Sequence, residues 1–71
     1  MKATQNMRIM EYLTENGSIT PLEAMQQLGV MRLAARIEEL KRDGAPIVMI
    51  RETVRNRWGE STNYARYWLV R

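Results

Sequence analysis

Between residues 20 and 29 the chain carries two strong punctuation marks that leave room for only one kind of element. Thr20-Pro21 sets a capping hydroxyl directly before a proline at the first helical position, and Glu23 stands three residues after the cap. Gly29 stops the run. The helix these marks enclose, over about 21–28, is roughly two turns long, too short to persist without support. Leu22, Met25 and Leu28 recur at one-turn spacing and form its expected buried stripe. The elements on either side must therefore brace it.

Both neighbours read as helices. Thr4 can cap a first helix over about 5–16, with Gly17 as its stop. At about 100° per residue, Ile9, Met10, Tyr12 and Leu13 share one face, while Arg8, Glu11 and Glu15 lie opposite. A third helix is predicted over about 31–43, closed by Gly44, with Leu33, Ile37 and Leu40 as its apolar stripe. Its other side carries Met31, Arg32, Ala35, Arg36, Glu39 and Arg42.

Pro46 forbids further helix, and the hydrophobic period then changes from that of a helix to that of a strand. Strands are predicted at about 47–53 and 64–70, joined by a polar segment holding Arg55, Asn56, Arg57, Trp58 and Gly59. That is an antiparallel hairpin. Ser18-Ile19 can add a very short third strand. Tyr67 and Leu69 alternate onto the core side, which leaves Tyr64 and Trp68 on the other as a candidate interaction surface. Trp58 can either wedge against a sugar or base step from the hairpin tip or pack over the hairpin or the first helix, and the packed placement is the one expected. The fold class is α+β, three helices followed by a hairpin.

A chain of 71 residues is one domain and buries only about 60% of the surface its unfolded form exposes. With no cysteine it has no disulfide or thiolate site to reinforce it. Self-association as a homodimer is one way such a domain gains stability. With no histidine the commonest general base is missing; Ser18 and Ser61 lack a base partner, and the acidic residues are scattered among arginines. The six methionines read as gap-fillers or surface residues, not ligands. No enzyme activity, cofactor, metal or small-molecule ligand is expected. No apolar run approaches the roughly 18 residues of a membrane span, and the first six residues lack a leader pattern, so a cytoplasmic protein is expected.

Charge is unevenly placed. Residues 1–28 hold two basic and three acidic residues, and residues 29–71 hold nine and five, so the net +3 comes entirely from the second part. Nine of the eleven basic residues are arginine, whose planar fork suits phosphates and guanine edges.

The stretch Thr20-Pro21-Leu22-Glu23-Ala24, then Leu28-Gly29, then Arg32-Leu33-Ala34-Ala35-Arg36-Ile37 and Leu40 resembles the small winged helix-turn-helix DNA-binding proteins common in bacteriophages and prophages. The likeness spans about residues 4–50, and Tyr64-Ala65-Arg66-Tyr67-Trp68-Leu69 is similar to the last wing strand of that group. One departure is Met25, where many helix-turn-helix proteins have a small alanine; it implies wider spacing between the second and third helices. The resemblance implies double-stranded DNA as partner and the third helix as the one that enters the major groove. Met31, Arg32, Ala35 and Arg36 would then lie on its base-facing N-terminal half, with Arg32 and Arg36 one turn apart. Glu39 would accept from a cytosine amine or hold Arg36 or Arg42 in place, and Arg55 and Arg57 of the wing would meet phosphates or the minor groove. Arg51 and Arg66 are further candidates for backbone contact. The other reading of Arg32 and Arg36 is a solvated face paired with Glu38 or Glu39. Within the DNA class the role is that of a transcriptional regulator or an architectural factor such as an excisionase. Outside it, the same fold serves as a protein-interaction module.

Overall fold

The computed structural model describes residues 4–71; Met1-Lys2-Ala3, which open the segment read as lacking a leader, lie outside the described residues. The first helix, α1, spans Gln5–Asn16. Thr4 Oγ1 accepts from the Met7 amide at 3.1 Å, and the Gly17 amide closes the far end on Leu13 O at 2.7 Å. Ile9 and Leu13 are fully buried, with Met10 and Tyr12 packed partly against the core. The strand β1, Ser18–Ile19, follows at once.

The second helix, α2, starts as α-helix over Pro21–Glu23 and continues as a π-helix over Ala24–Leu28. Its start is a complete capping box: the Glu23 amide donates to Thr20 Oγ1 at 3.2 Å, and the Thr20 amide donates to Glu23 Oε1 at 2.9 Å. The predicted stripe is corrected here. Leu22 is 57% exposed and Met25 43%, whereas Ala24 is completely buried and Leu28 partly so. π-helical bonding packs more residues into each turn, so a three-residue spacing no longer returns to the same side. The small residue at this contact is therefore Ala24, with Met25 turned largely outward.

Gly29 then turns the chain at φ +68°, a conformation that penalises any residue with a Cβ, and the Val30 amide returns to Ala24 O at 3.0 Å. Val30 plugs into the core at 1% exposure. The chain must climb back out before a helix can begin, so α3 spans Leu33–Arg42 and starts two residues later than its spacing predicts. Arg32 sits at the cap with φ −119° and ψ 62°, outside the helical region. Leu33, Ile37 and Leu40 are buried as expected from the sequence.

The strands β2, Ile47–Arg55, and β3, Ser61–Leu69, pair antiparallel from Ile47↔Leu69 to Arg55↔Ser61. Both run further towards the tip than predicted, so the connecting loop shrinks to residues 56–60. β-Branched Thr53, Val54 and Thr62 favour the extended chain there, and Thr62 Oγ1 donates to Val54 O at 3.4 Å. The predicted third strand forms as well: β1 pairs with β3 through Ser18↔Trp68 and Ile19↔Tyr67, which makes the sheet order β1-β3-β2. Only the base of the hairpin is covered by helices. The rest projects, and the molecule measures 46 × 23 × 21 Å.

The buried core is Ile9, Leu13, Ile19, Ala24, Val30, Leu33, Ile37, Leu40 and Ile47. Enlarging Ala24 should overpack it: Ala24→Leu is expected to destabilise by about 1–3 kcal/mol, while Met25→Ala should cost under about 0.5 kcal/mol. Urea unfolding midpoints of the two variants check this, and a larger loss for Met25→Ala would contradict the observed packing.

Candidate nucleic-acid interface

The sequence-predicted residues fall into two groups. The first gathers around the turn into α3. Met31 is 75% exposed, and Met31, Arg32 and Arg36 line a recess of about 330 Å3 with Gln5 and Gly29. Arg32 approaches this recess from the turn, not from the helix, because α3 has not yet begun. Arg36 does sit on α3 but leans towards α1. Its Nη2 lies 3.1 Å from Glu39 Oε2, and Asn6 Nδ2 of α1 donates to Glu39 Oε1 at 3.1 Å. The Arg36 Nε and Asn6 Oδ1 atoms are buried without a hydrogen-bond partner. Arg36 is thus held by Glu39, while Arg32 has no ion pair among the described residues.

Farther along α3, Ala34, Glu38, Lys41 and Arg42 are exposed, and Ala35 is half-buried. Lys41 and Arg42 occupy the last turn, where a cation is favoured by the partial negative charge of the helix end. Residues Gln5 and Asn6 were not candidates from the sequence. Their polar side chains on the open flank of α1 were the only available signal.

The second group lies on the hairpin. Alternation along β2 sends Ile47 into the core, so Met49, Arg51, Thr53 and Arg55 continue on the helix-facing side as the strand leaves the body. Across from them β3 supplies Ser61 and Asn63 on the same face. Arg51 Nη1 donates to Asn63 Oδ1 at 3.1 Å, which steadies its side chain along the hairpin. This face is polar and cationic. Arg55 ends β2 and is not a loop residue, while Arg57 lies in the loop at the tip.

The opposite face has different chemistry. Val48, Ile50, Val54 and Trp68 point outward at 45%, 52%, 43% and 38% exposure. Tyr64 lies on this side too, and with Arg66, Thr20, Pro21, Leu22 and Glu23 it lines a groove of about 520 Å3. Among the described residues the one cation here is surrounded by two carboxylates. Arg66 Nε donates to Glu52 Oε1 at 2.6 Å, and its Nη1 donates to Ser18 Oγ at 3.0 Å and lies 3.7 Å from Glu23 Oε1. Arg66 is therefore engaged by Glu52, Ser18 and Glu23 within the protein. Its hydrogen bond to Glu52 raises its pKa further above the ordinary arginine value.

Trp58 is placed differently from its expected position. It is 74% exposed at the hairpin tip and covers neither the strands nor α1; among the described residues its ring is met by the Arg57 guanidinium, 5.5 Å from the ring centroid. The reason is distance: the tip stands about eight residue pairs beyond Ile47↔Leu69, out of reach of the helices.

The Arg66 hydrogen bond holds the Glu52 carboxyl below its ordinary value of 4.5. A carboxyl lowered on folding contributes stability above the unfolded value and loses it as pH falls through the folded one. Acid unfolding of the native protein should accordingly include a contribution below about pH 4.5 that Glu52→Gln removes. Thermal midpoints of both proteins from pH 7 to pH 3 test this; identical pH profiles would refute it.

Among the described residues no helix is long and apolar enough to cross a membrane, and no group of acidic side chains is arranged to hold a metal ion. A comparison with curated proteins finds no match. The family model of a winged helix-turn-helix domain matches residues 4–71, which takes in all three helices and the whole hairpin. The chain belongs to that winged helix-turn-helix family.

Proposed function

We propose that this protein binds double-stranded DNA as a transcriptional regulator of the phage or prophage type. The observation that carries the reading is the division of cations between the two faces of the hairpin. Arg66 on the outer face is neutralised by Glu52 and Glu23, whereas Arg51 and Arg55 on the helix-facing side have no recorded ion pair among the described residues. Free arginines on a projecting, steadied strand suit phosphates spaced along a duplex, since each phosphate neutralised releases bound counterions. In this reading the turn and α3 enter the major groove. Met31 and Arg32 lead, Ala35 allows close approach, and Arg36, Glu39 and Arg42 stand along the flank. Arg51, Arg55 and Arg57 follow the neighbouring backbone.

The pairing of Arg36 with Glu39 bears on how it would read a base. An arginine already held by a carboxylate is oriented in advance, but it must loosen that partner or share it to contact guanine. Arg32 has no such constraint and is proposed as the principal base-reading cation.

A second reading, a winged helix that docks on another protein, has one observation in its favour: the outward row of Val48, Ile50, Val54 and Trp68. DNA contact through α3 and the inner wing face would leave that row uncovered.

Retention of duplexes from a randomised pool at two salt concentrations decides between them. Enrichment of one motif with affinity falling steeply as salt rises is the expected result. Arg32→Ala should then relax preference at one position, costing about 1–3 kcal/mol. Arg55→Ala should weaken all sequences alike and reduce the slope of log K against log salt by about 1. Failure to retain any duplex at low salt would overturn the DNA reading in favour of protein docking.

A further inference from the structure

The loop at the end of the hairpin is held by a set of hydrogen bonds centred on Asn56. Asn56 Oδ1 accepts from the amides of Trp58 and Glu60, each at 3.0 Å, and the Asn56 amide donates to Glu60 O at 2.9 Å. The Gly59 amide closes on Asn56 O at 3.0 Å, with Gly59 at φ +79°. Asn56 Nδ2 reaches Glu60 Oε1 at 3.5 Å. One asparagine thus ties down most of a five-residue loop. What this loop displays is an indole, 74% exposed, with a guanidinium held near its face.

The hydrogen bonds close the hairpin, but the exposed indole does nothing for the isolated domain. A large aromatic side chain left in water forgoes the favourable burial it would have in a core. The tip also lies too far from the helices for Trp58 to be buried against them. A rigid mount for an unburied tryptophan makes sense if its cover arrives from outside.

We infer that Trp58 is a DNA-contacting wedge: its ring stacks on a sugar or partly inserts at a base step of the minor groove, and Arg57 travels with it to the adjacent phosphate. This rests on the DNA reading above and adds a non-ionic contact to it. An aromatic or apolar wedge at a base step unstacks it and kinks the duplex. The Arg57 guanidinium neutralises phosphate while remaining against the indole face, so one short segment serves both chemistries. Arg55, three residues earlier, extends the cationic track towards the body.

The chain has two tryptophans, so Trp68→Phe makes Trp58 the sole indole and its fluorescence a direct reporter. Trp68 is partly exposed, and the circular dichroism spectrum of the variant shows whether the fold is kept. Titrating this variant with the duplex selected from the pool should quench Trp58 emission at saturation. In the native background, Trp58→Ala should weaken binding about tenfold, towards the lower end of what aromatic stacking on a base contributes, and leave the salt slope unchanged. It should also reduce the DNA bend measured by energy transfer between labelled duplex ends, and Trp58→Phe should restore part of both. Unchanged emission, affinity and bend, with duplex binding otherwise intact, would overturn the wedge while leaving the DNA reading standing. Absence of duplex binding by the native protein would overturn both. A loss on Trp58→Ala accompanied by a reduced salt slope, with Trp58 emission and the bend unchanged, would also overturn the wedge, because the contribution would then be ionic.

Discussion

Two residues, Ser18 and Ile19, join the helical and β parts of this molecule. Ile19 is completely buried and pairs with Tyr67, while Ser18 pairs with Trp68 and receives Arg66 Nη1 on its hydroxyl. The Leu69 amide extends the seam to Gly17 O at 3.0 Å, and the Arg71 guanidinium donates to Leu13 O at 2.9 Å and to Thr14 O. These contacts satisfy carbonyls at the open end of α1 with a cation, where the helix end favours one. Without this seam the hairpin would be held mainly by Ile47 and the connection after α3. An isolated two-stranded hairpin is marginal in water, so its direction relative to α3 depends on the third strand.

The same seam sorts the charges. Because Ser18 pairs with Trp68, the residue two before it, Arg66, lies beside the start of α2 and within reach of Glu23, while Glu52 approaches from β2. One arginine is absorbed between two carboxylates, and the outer face offers no unpaired cation from this cluster. A partly exposed cluster of this sort contributes little to stability pair by pair. Its larger effect is on the distribution of charge, since it leaves the cations of the inner hairpin face and of the turn into α3 as the ones available to a polyanion.

Helix positions and the core were largely legible in the sequence, because caps and apolar period are local signals. Thr4, Thr20-Pro21, Gly17 and Gly29 mark ends whose chemistry requires no knowledge of the rest of the chain. The buried side of α2 was not legible. Leu22 and Met25 suit the buried stripe of a regular α-helix, yet Ala24 and Val30 are the residues seated in the core, and Leu22 and Met25 are left outward. The candidate site was legible in its residue types more than in its geometry. Arg32 and Arg36 look equivalent at one-turn spacing, yet Val30 anchors the turn that places one before the helix, and Glu39 with Asn6 restrains the other.

The sequence by itself determined the order of elements, the capping box, the glycine turn, the change of period after Pro46 and the excess of arginine in the second part. Each follows from interactions within a few residues. Tertiary structure alone decided which arginines stay free, which face of the hairpin is cationic and that Trp58 stands in solvent. Those outcomes depend on strand register and on contacts between residues as far apart as Ser18 and Arg66, 48 positions along the chain. Local pattern carries no information about such pairings. A shift of one residue in register would have exchanged the two faces of the wing.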